Sequence, residues 1–116
     1  MARADSLPIY RPAYELLQLL AKLTQQYPRG YRQLLAREVF AEGQALVIGI
    51  FRANSAADKA PLLENLRERL ETLKLLLRLS KDLHLISAGQ FGVTVELTDA
   101  IGKQVSGWLS YARKSA

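Results

Sequence analysis

The sequence contains no cysteine, which excludes disulfides, thiol nucleophiles and thiolate metal sites together. It contains one histidine, His84. A carboxylate-bridged dimetal bundle needs two Glu-x-x-His motifs, so that chemistry is excluded by count. Ser–His–Asp catalysis would have to run through His84, and no nucleophile-elbow pattern accompanies it. There is no glycine-rich phosphate loop. The longest apolar run, Ala45–Phe51, is about seven residues, far below the roughly 18 that a membrane span requires. Met1 to Leu7 lacks the apolar core of a signal peptide. The expectation is a soluble, cytoplasmic protein that is not an enzyme, carries no cofactor or metal and does not enter a membrane.

What is present suits one all-α domain, residues 1–116. At 49% hydrophobic and 23% charged residues the chain can bury a core. Leucine is abundant, there are only 4 prolines and 7 glycines, and β-branched residues gather in Val47–Ile50 and Val93–Val95. That balance favours helices over strands. The formal net charge is +5, from 16 Lys and Arg against 11 Asp and Glu. Such an excess suits a polyanionic partner (RNA, DNA or an anionic membrane surface), or a basic small protein that binds no nucleic acid.

Periodicity predicts four helices, over about 9–27, 31–53, 60–85 and 88–113. The first carries Tyr10, Ala13, Tyr14, Leu17, Leu20 and Ala21 in one stripe, widened by Leu16 and Leu23, and stops before Pro28-Arg29-Gly30. The second has Leu34, Leu35, Val39, Leu46 and Ile50 on one side and Ala41, Ala45 and Ile48 on another. Gly43 and Gly49 lie inside it, which implies either close approach by a neighbour or a loose, kinked helix. Asp58 is the expected N-cap of the third helix, with Pro61 in its first turn. Ser87 and Gln90 form a capping box for the fourth. Its core face is Phe91, Thr94, Thr98, Ile101, Val105, Trp108 and Ala112, and the strand-like Val93-Thr94-Val95 is overridden by the continuing period. Short connections between long helices imply an antiparallel, up-down-up-down four-helix bundle.

The third helix carries the most information. Projected at about 100° per residue, Arg67, Glu71, Lys74, Arg78 and Lys81 share a wedge about 80° wide. Leu66, Leu70, Leu73 and Leu77 form the core seam beside it. Leu75, Leu76, Leu79 and Leu83 form a second apolar set. That set covers either a second copy of the chain or the flanking helices of its own bundle. The wedge is either a solvated face with pairs such as Glu71–Lys74, or a phosphate-binding stripe of Arg67, Lys74, Arg78 and Lys81. His84 falls on the core side of this projection, where a hydrogen-bonded packing role is expected. Glu38 and Glu42 pair at i,i+4 beside Arg37, as solvated ion pairs or, given a cleft, as an acid–base pair. Trp108 and the tyrosines sit at helical spacing, as core or interface residues.

The run Leu73-Lys74-Leu75-Leu76-Leu77-Arg78-Leu79-Ser80-Lys81-Asp82-Leu83, followed by Leu85-Ile86-Ser87, resembles the accessory variability determinant (Avd) proteins of diversity-generating retroelements. So do Ile101-Gly102-Lys103-Gln104-Val105-Ser106-Gly107-Trp108, Leu7-Pro8-Ile9-Tyr10, Tyr27-Pro28-Arg29-Gly30 and Lys59-Ala60-Pro61-Leu62-Leu63. The resemblance spans nearly the whole chain in order, with Ser106 standing where the family often has a glycine. Avd proteins are similar to the four-helix-bundle proteins encoded in intervening sequences of bacterial ribosomal RNA genes. The resemblance implies a homopentameric barrel of bundles with a positive surface. It also implies a non-catalytic accessory subunit that binds reverse transcriptase and template RNA, with DNA as a further polyanion, and supports mutagenic cDNA synthesis. It assigns Lys74, Arg78 and Lys81 to nucleic-acid binding; the helical projection adds Arg67, and Arg37 is added from helix two. Leu75, Leu76, Leu79 and Leu83 are the expected oligomer interface. The alternative is a structural homo-oligomer of the intervening-sequence type, which docks a protein partner without nucleic acid.

Overall fold

A computed structural model describes residues 3–115. The described residues are all-helical, with no strand, and form a rod of 46 × 21 × 21 Å. Four main helices build it: α1 (Tyr10–Leu23), α2 (Arg37–Ser55), α3 (Ala60–Asp82) and α4 (Ala88–Lys114). Each packs against two others: α1 and α3 both flank α2, and both flank α4. The arrangement is that of a four-helix bundle.

The core is a column of leucines. Leu16, Leu20 and Leu23 of α1 meet Leu46 and Ile50 of α2, Leu63, Leu66, Leu70, Leu73 and Leu77 of α3, and Ile101, Val105 and Leu109 of α4. Thr94 and Thr98 are also buried, and each hydroxyl donates within its own helix, Thr94 Oγ1 to the Phe91 carbonyl (2.7 Å) and Thr98 Oγ1 to that of Thr94 (2.9 Å). A buried hydroxyl satisfied in this way avoids the desolvation penalty of an orphan. Residues 93–95 are helical, as the period required.

The glycines of α2 mark close approach. A Cβ on Gly43 would lie 2.7 Å from Leu20 Cδ1, and one on Gly49 would lie 2.5 Å from Leu66 Cδ2. Removing two side chains lets α1 and α3 each press a leucine against the α2 backbone, so α2 is tightly packed at these points.

The helix ends depart from the periodicity. The first helix gives way after Leu23 to a 3-10 turn over Thr24–Gln26. A single turn (Arg29–Tyr31) and a π turn (Arg32–Ala36) lead into α2. Asp58 makes no cap. Instead, Lys59 Nζ donates to the carbonyls of Ala53, Asn54 and Ala56, each at 2.9 Å, and so satisfies the C-terminal end of α2. The Ser87–Gln90 capping box forms at α4, with Gln90 N–H to Ser87 Oγ at 3.0 Å and Ser87 N–H to Gln90 Oε1 at 2.8 Å.

His84 is exposed and lies beyond α3, which corrects its expected place on the core side. Leu85 N–H donates to the Ser80 carbonyl (2.8 Å) and His84 N–H to that of Lys81 (2.9 Å). These bonds define a Schellman turn with His84 at its left-handed position, φ 61°. The helix ends there, and the imidazole is carried out of the core.

One buried polar link ties the α1–α2 connection to α3. Tyr27 is buried, and its hydroxyl donates to Ser80 Oγ (2.7 Å), which donates to the Leu76 carbonyl (2.8 Å). Burial pushes the Tyr27 hydroxyl above its ordinary pKa of 10.0, with the Ser80 hydrogen bond opposing. In Tyr27→Phe, Ser80 keeps its Leu76 acceptor, so the expected loss is about 1 kcal/mol in urea unfolding. A raised folded pKa favours the neutral phenol. Its contribution is fully present below the unfolded pKa near 10 and is lost as pH rises through the folded value. The gap between native protein and Tyr27→Phe should therefore be full up to about pH 9 and narrow from about pH 10 to about pH 11. A gap that is constant across that range would contradict the ionisation argument.

Candidate nucleic-acid interface

The wedge residues of α3 face α4 and share a groove with it. Arg67, Glu71 and Lys74 line a concavity of about 470 Å³ together with Asp99, Gly102 and Lys103 of α4. Lys74 and Arg78 line the next one, about 190 Å³, with Phe91 and Asp99. Lys74 belongs to both, so the groove is continuous along the helix pair. Lys103 is not singled out by the sequence; its position one turn beyond Asp99 is the only signal.

The cations of the wedge are not bare. Arg67 pairs with Glu64 (2.7 Å), Lys74 with Glu71 (3.5 Å) and with Asp99 of α4 (4.0 Å), and Arg78 with Asp82 (3.5 Å). Arg113 of α4 also pairs with Glu64. Lys81 Nζ stands 5.3 Å from the centroid of the Phe91 ring, a cation–π contact. These pairs are solvent-accessible, and exposed pairs are worth about 0–1 kcal/mol. Phosphate oxygens can compete for such cations, so the pairing holds the side chains in the groove without blocking it.

Arg37 does not join the wedge. It donates to Gln33 Oε1 (3.3 Å) and lines a separate concavity with residues of the α1–α2 connection. Neither Arg37 nor Glu38 forms the expected ion pair. Glu42 reaches across to Arg69 of α3 instead (2.9 Å). Its second oxygen, Oε2, is buried and accepts no hydrogen bond among the described residues.

The second leucine set splits. Leu76 is half-buried against the core, whereas Leu75, Leu79 and Leu83 are 67%, 43% and 40% exposed. Leu34, expected in the core face of α2, is 70% exposed. It precedes α2 within the π turn, and the antiparallel register set by the Glu42–Arg69 pair brings it level with the C-terminal half of α3. These side chains leave apolar surface uncovered on the bundle.

The α3–α4 groove thus carries Arg67, Lys74, Arg78 and Lys103 with Glu71 and Asp99 among them, and Leu75, Leu79 and Leu83 are exposed. Among the described residues there is no cluster of metal-ligating side chains. No helix among these residues is long and apolar enough to cross a membrane. A family model described as bAvd-like matches residues 9–112, and the chain belongs to that family. These are the accessory variability determinants, a family of accessory, non-catalytic proteins, and membership gives the chain an accessory role in diversity-generating retroelements. A search of curated proteins finds no match.

Proposed function

We propose that this protein acts in the cytoplasm as an accessory subunit that binds the retroelement's reverse transcriptase and its template RNA, and thereby supports mutagenic cDNA synthesis. The observation that carries the nucleic-acid part is the continuous α3–α4 groove with Arg67, Lys74, Arg78 and Lys103 on its walls. Cations one and two turns apart on a helix can follow a phosphate backbone. Such contacts supply affinity without sequence preference, which suits a subunit that leaves template choice to its partner.

The assembly part rests on the leucine strip. Leu75, Leu79 and Leu83 expose apolar surface that a second copy would cover. We propose a homo-oligomer through this face, and the resemblance to Avd proteins supports a pentamer. The ion pairing of three wedge cations favours a second reading, a structural oligomer that docks protein alone.

Binding of a structured RNA separates the two. In Lys74→Ala/Arg78→Ala/Lys81→Ala the affinity should fall at low salt for every RNA tested, and the salt slope should drop by about 2, at roughly 0.7 per lost contact on a single strand. Unchanged affinity would remove the groove from the interface. Absence of RNA binding by the native protein would favour the protein-docking reading.

A further inference from the structure

The connection from α1 to α2 is rich in positive charge. Residues 22–38, the end of α1 and the approach to α2, hold Lys22, Arg29, Arg32 and Arg37 against the single carboxylate Glu38. That is three of the five net charges. Unlike most cations of the α3 wedge, none of these four forms an ion pair among the described residues.

Two of them are brought together by an irregularity of the backbone. On a regular α-helix, residues five apart diverge by about 140°. Here Arg32–Ala36 is a π turn, and the Arg37 N–H closes on the Arg32 carbonyl. An i→i+5 turn stacks Arg32 and Arg37 on one side. Both residues line one concavity of about 310 Å³, with Thr24, Gln25, Ala36 and Phe40.

The concavity is also held in shape. Arg32 Nε donates to the Tyr27 carbonyl (3.3 Å), and Tyr27 is anchored in the core through Ser80. That bond uses one of five guanidinium donors and orients the rest of the fork. Arg37 spends a single Nη1 donor on Gln33 Oε1 (3.3 Å). The hydroxyl of Thr24 is turned to its own helix, bonding the Leu20 carbonyl (2.8 Å), so the two guanidinium groups and the Gln25 amide are the donors left for a ligand. Planar forks held by a neighbour, free of ion pairs among the described residues and lining one pocket, match the geometry of phosphate oxygens.

We propose that the π turn forms a two-arginine clamp, Arg32 with Arg37, that grips the sugar–phosphate backbone of an RNA strand at the α1–α2 connection. The inference rests on the nucleic-acid reading above and assigns it a second contact, remote from the α3–α4 groove. Lys22 and Arg29 lie in the same stretch of sequence and add to its positive charge.

The test uses the full chain and a fluorescently labelled single-stranded RNA titrated at several salt concentrations. In Arg32→Gln/Arg37→Gln, the amide introduced at position 32 keeps a donor for the Tyr27 carbonyl. The affinity should fall about tenfold or more and the salt slope by about 1.4. Arg37→Gln alone, which breaks only the surface bond to Gln33, should lose about threefold and keeps the test valid if the double variant misfolds. A charge control, Arg52→Gln/Lys114→Gln, removes two cations elsewhere that form no ion pair among the described residues, and should change affinity less than about twofold. Loss in the control equal to that in the clamp variant would show that net charge alone is at work and would overturn the clamp. Native-like binding by the clamp variants, with binding still lost in the groove variant, would overturn the clamp and leave the proposed function standing. A native protein indifferent to RNA would overturn both.

Discussion

Leu75→Lys/Leu79→Lys should convert the proposed homo-oligomer into monomers without unfolding the bundle. Within one chain these side chains are 67% and 43% exposed, so lysine at either position costs the monomer little. Covered by another copy, each leucine contributes about 1.5–3 kcal/mol through burial, and a lysine there leaves an unpaired charge in an apolar contact. Two positions in every interface give an expected loss of several kcal/mol, or at least about a hundredfold in association. Sedimentation should show a species near 13.0 kDa, the mass of one chain, with helical circular dichroism unchanged. An unchanged oligomer would show that the leucine strip faces something other than a copy.

The second large effect lies in the core, where Leu66 fills the notch left by Gly49. Leu66 is 1% exposed, and Leu66→Ala should cost about 3–4 kcal/mol, from lost transfer energy and the cavity left behind. Gly49→Ala gains about 1 kcal/mol of helix propensity but forces its Cβ against Leu66 Cδ2, where overpacking costs about 1–3 kcal/mol. Its net effect should be a loss of about 1 kcal/mol. In the double variant the methyl added at position 49 enters the space that Leu66 vacated. The strain disappears and the propensity gain remains, so the double variant should be more stable than the sum of the singles by about 1–2 kcal/mol. Urea unfolding at one protein concentration measures all four corners of the cycle. Additivity would mean that α2 and α3 adjust freely at this contact, contrary to a tight notch.

Much of this arrangement is legible in the sequence because packing follows a 3.6 period. The Leu66, Leu70, Leu73 and Leu77 seam, the Thr94, Thr98, Ile101 and Val105 face and the Ser87–Gln90 box all emerge from spacing alone. Spacing misplaces Leu34 because it and Leu35 are adjacent, about 100° apart on a helix, and only one of them can face the core. It misplaces His84 because a Schellman turn is usually announced by glycine, and here a histidine takes the left-handed position. The ion pairs of the groove are hidden for a different reason. The partner of Lys74 on another helix, Asp99, is set by packing register, which periodicity within one helix does not contain. The approach of Arg32 to Arg37 is hidden too, since it depends on a π turn that has no sequence signature comparable to a capping box.

The measurement that bears most directly on the whole account is the solution mass by light scattering, repeated with a structured RNA at low and high salt. The expected result is a particle of about five 13.0 kDa chains that takes up RNA at low salt and releases it as salt rises. A 13.0 kDa monomer indifferent to RNA would contradict both the leucine interface and the basic binding surfaces.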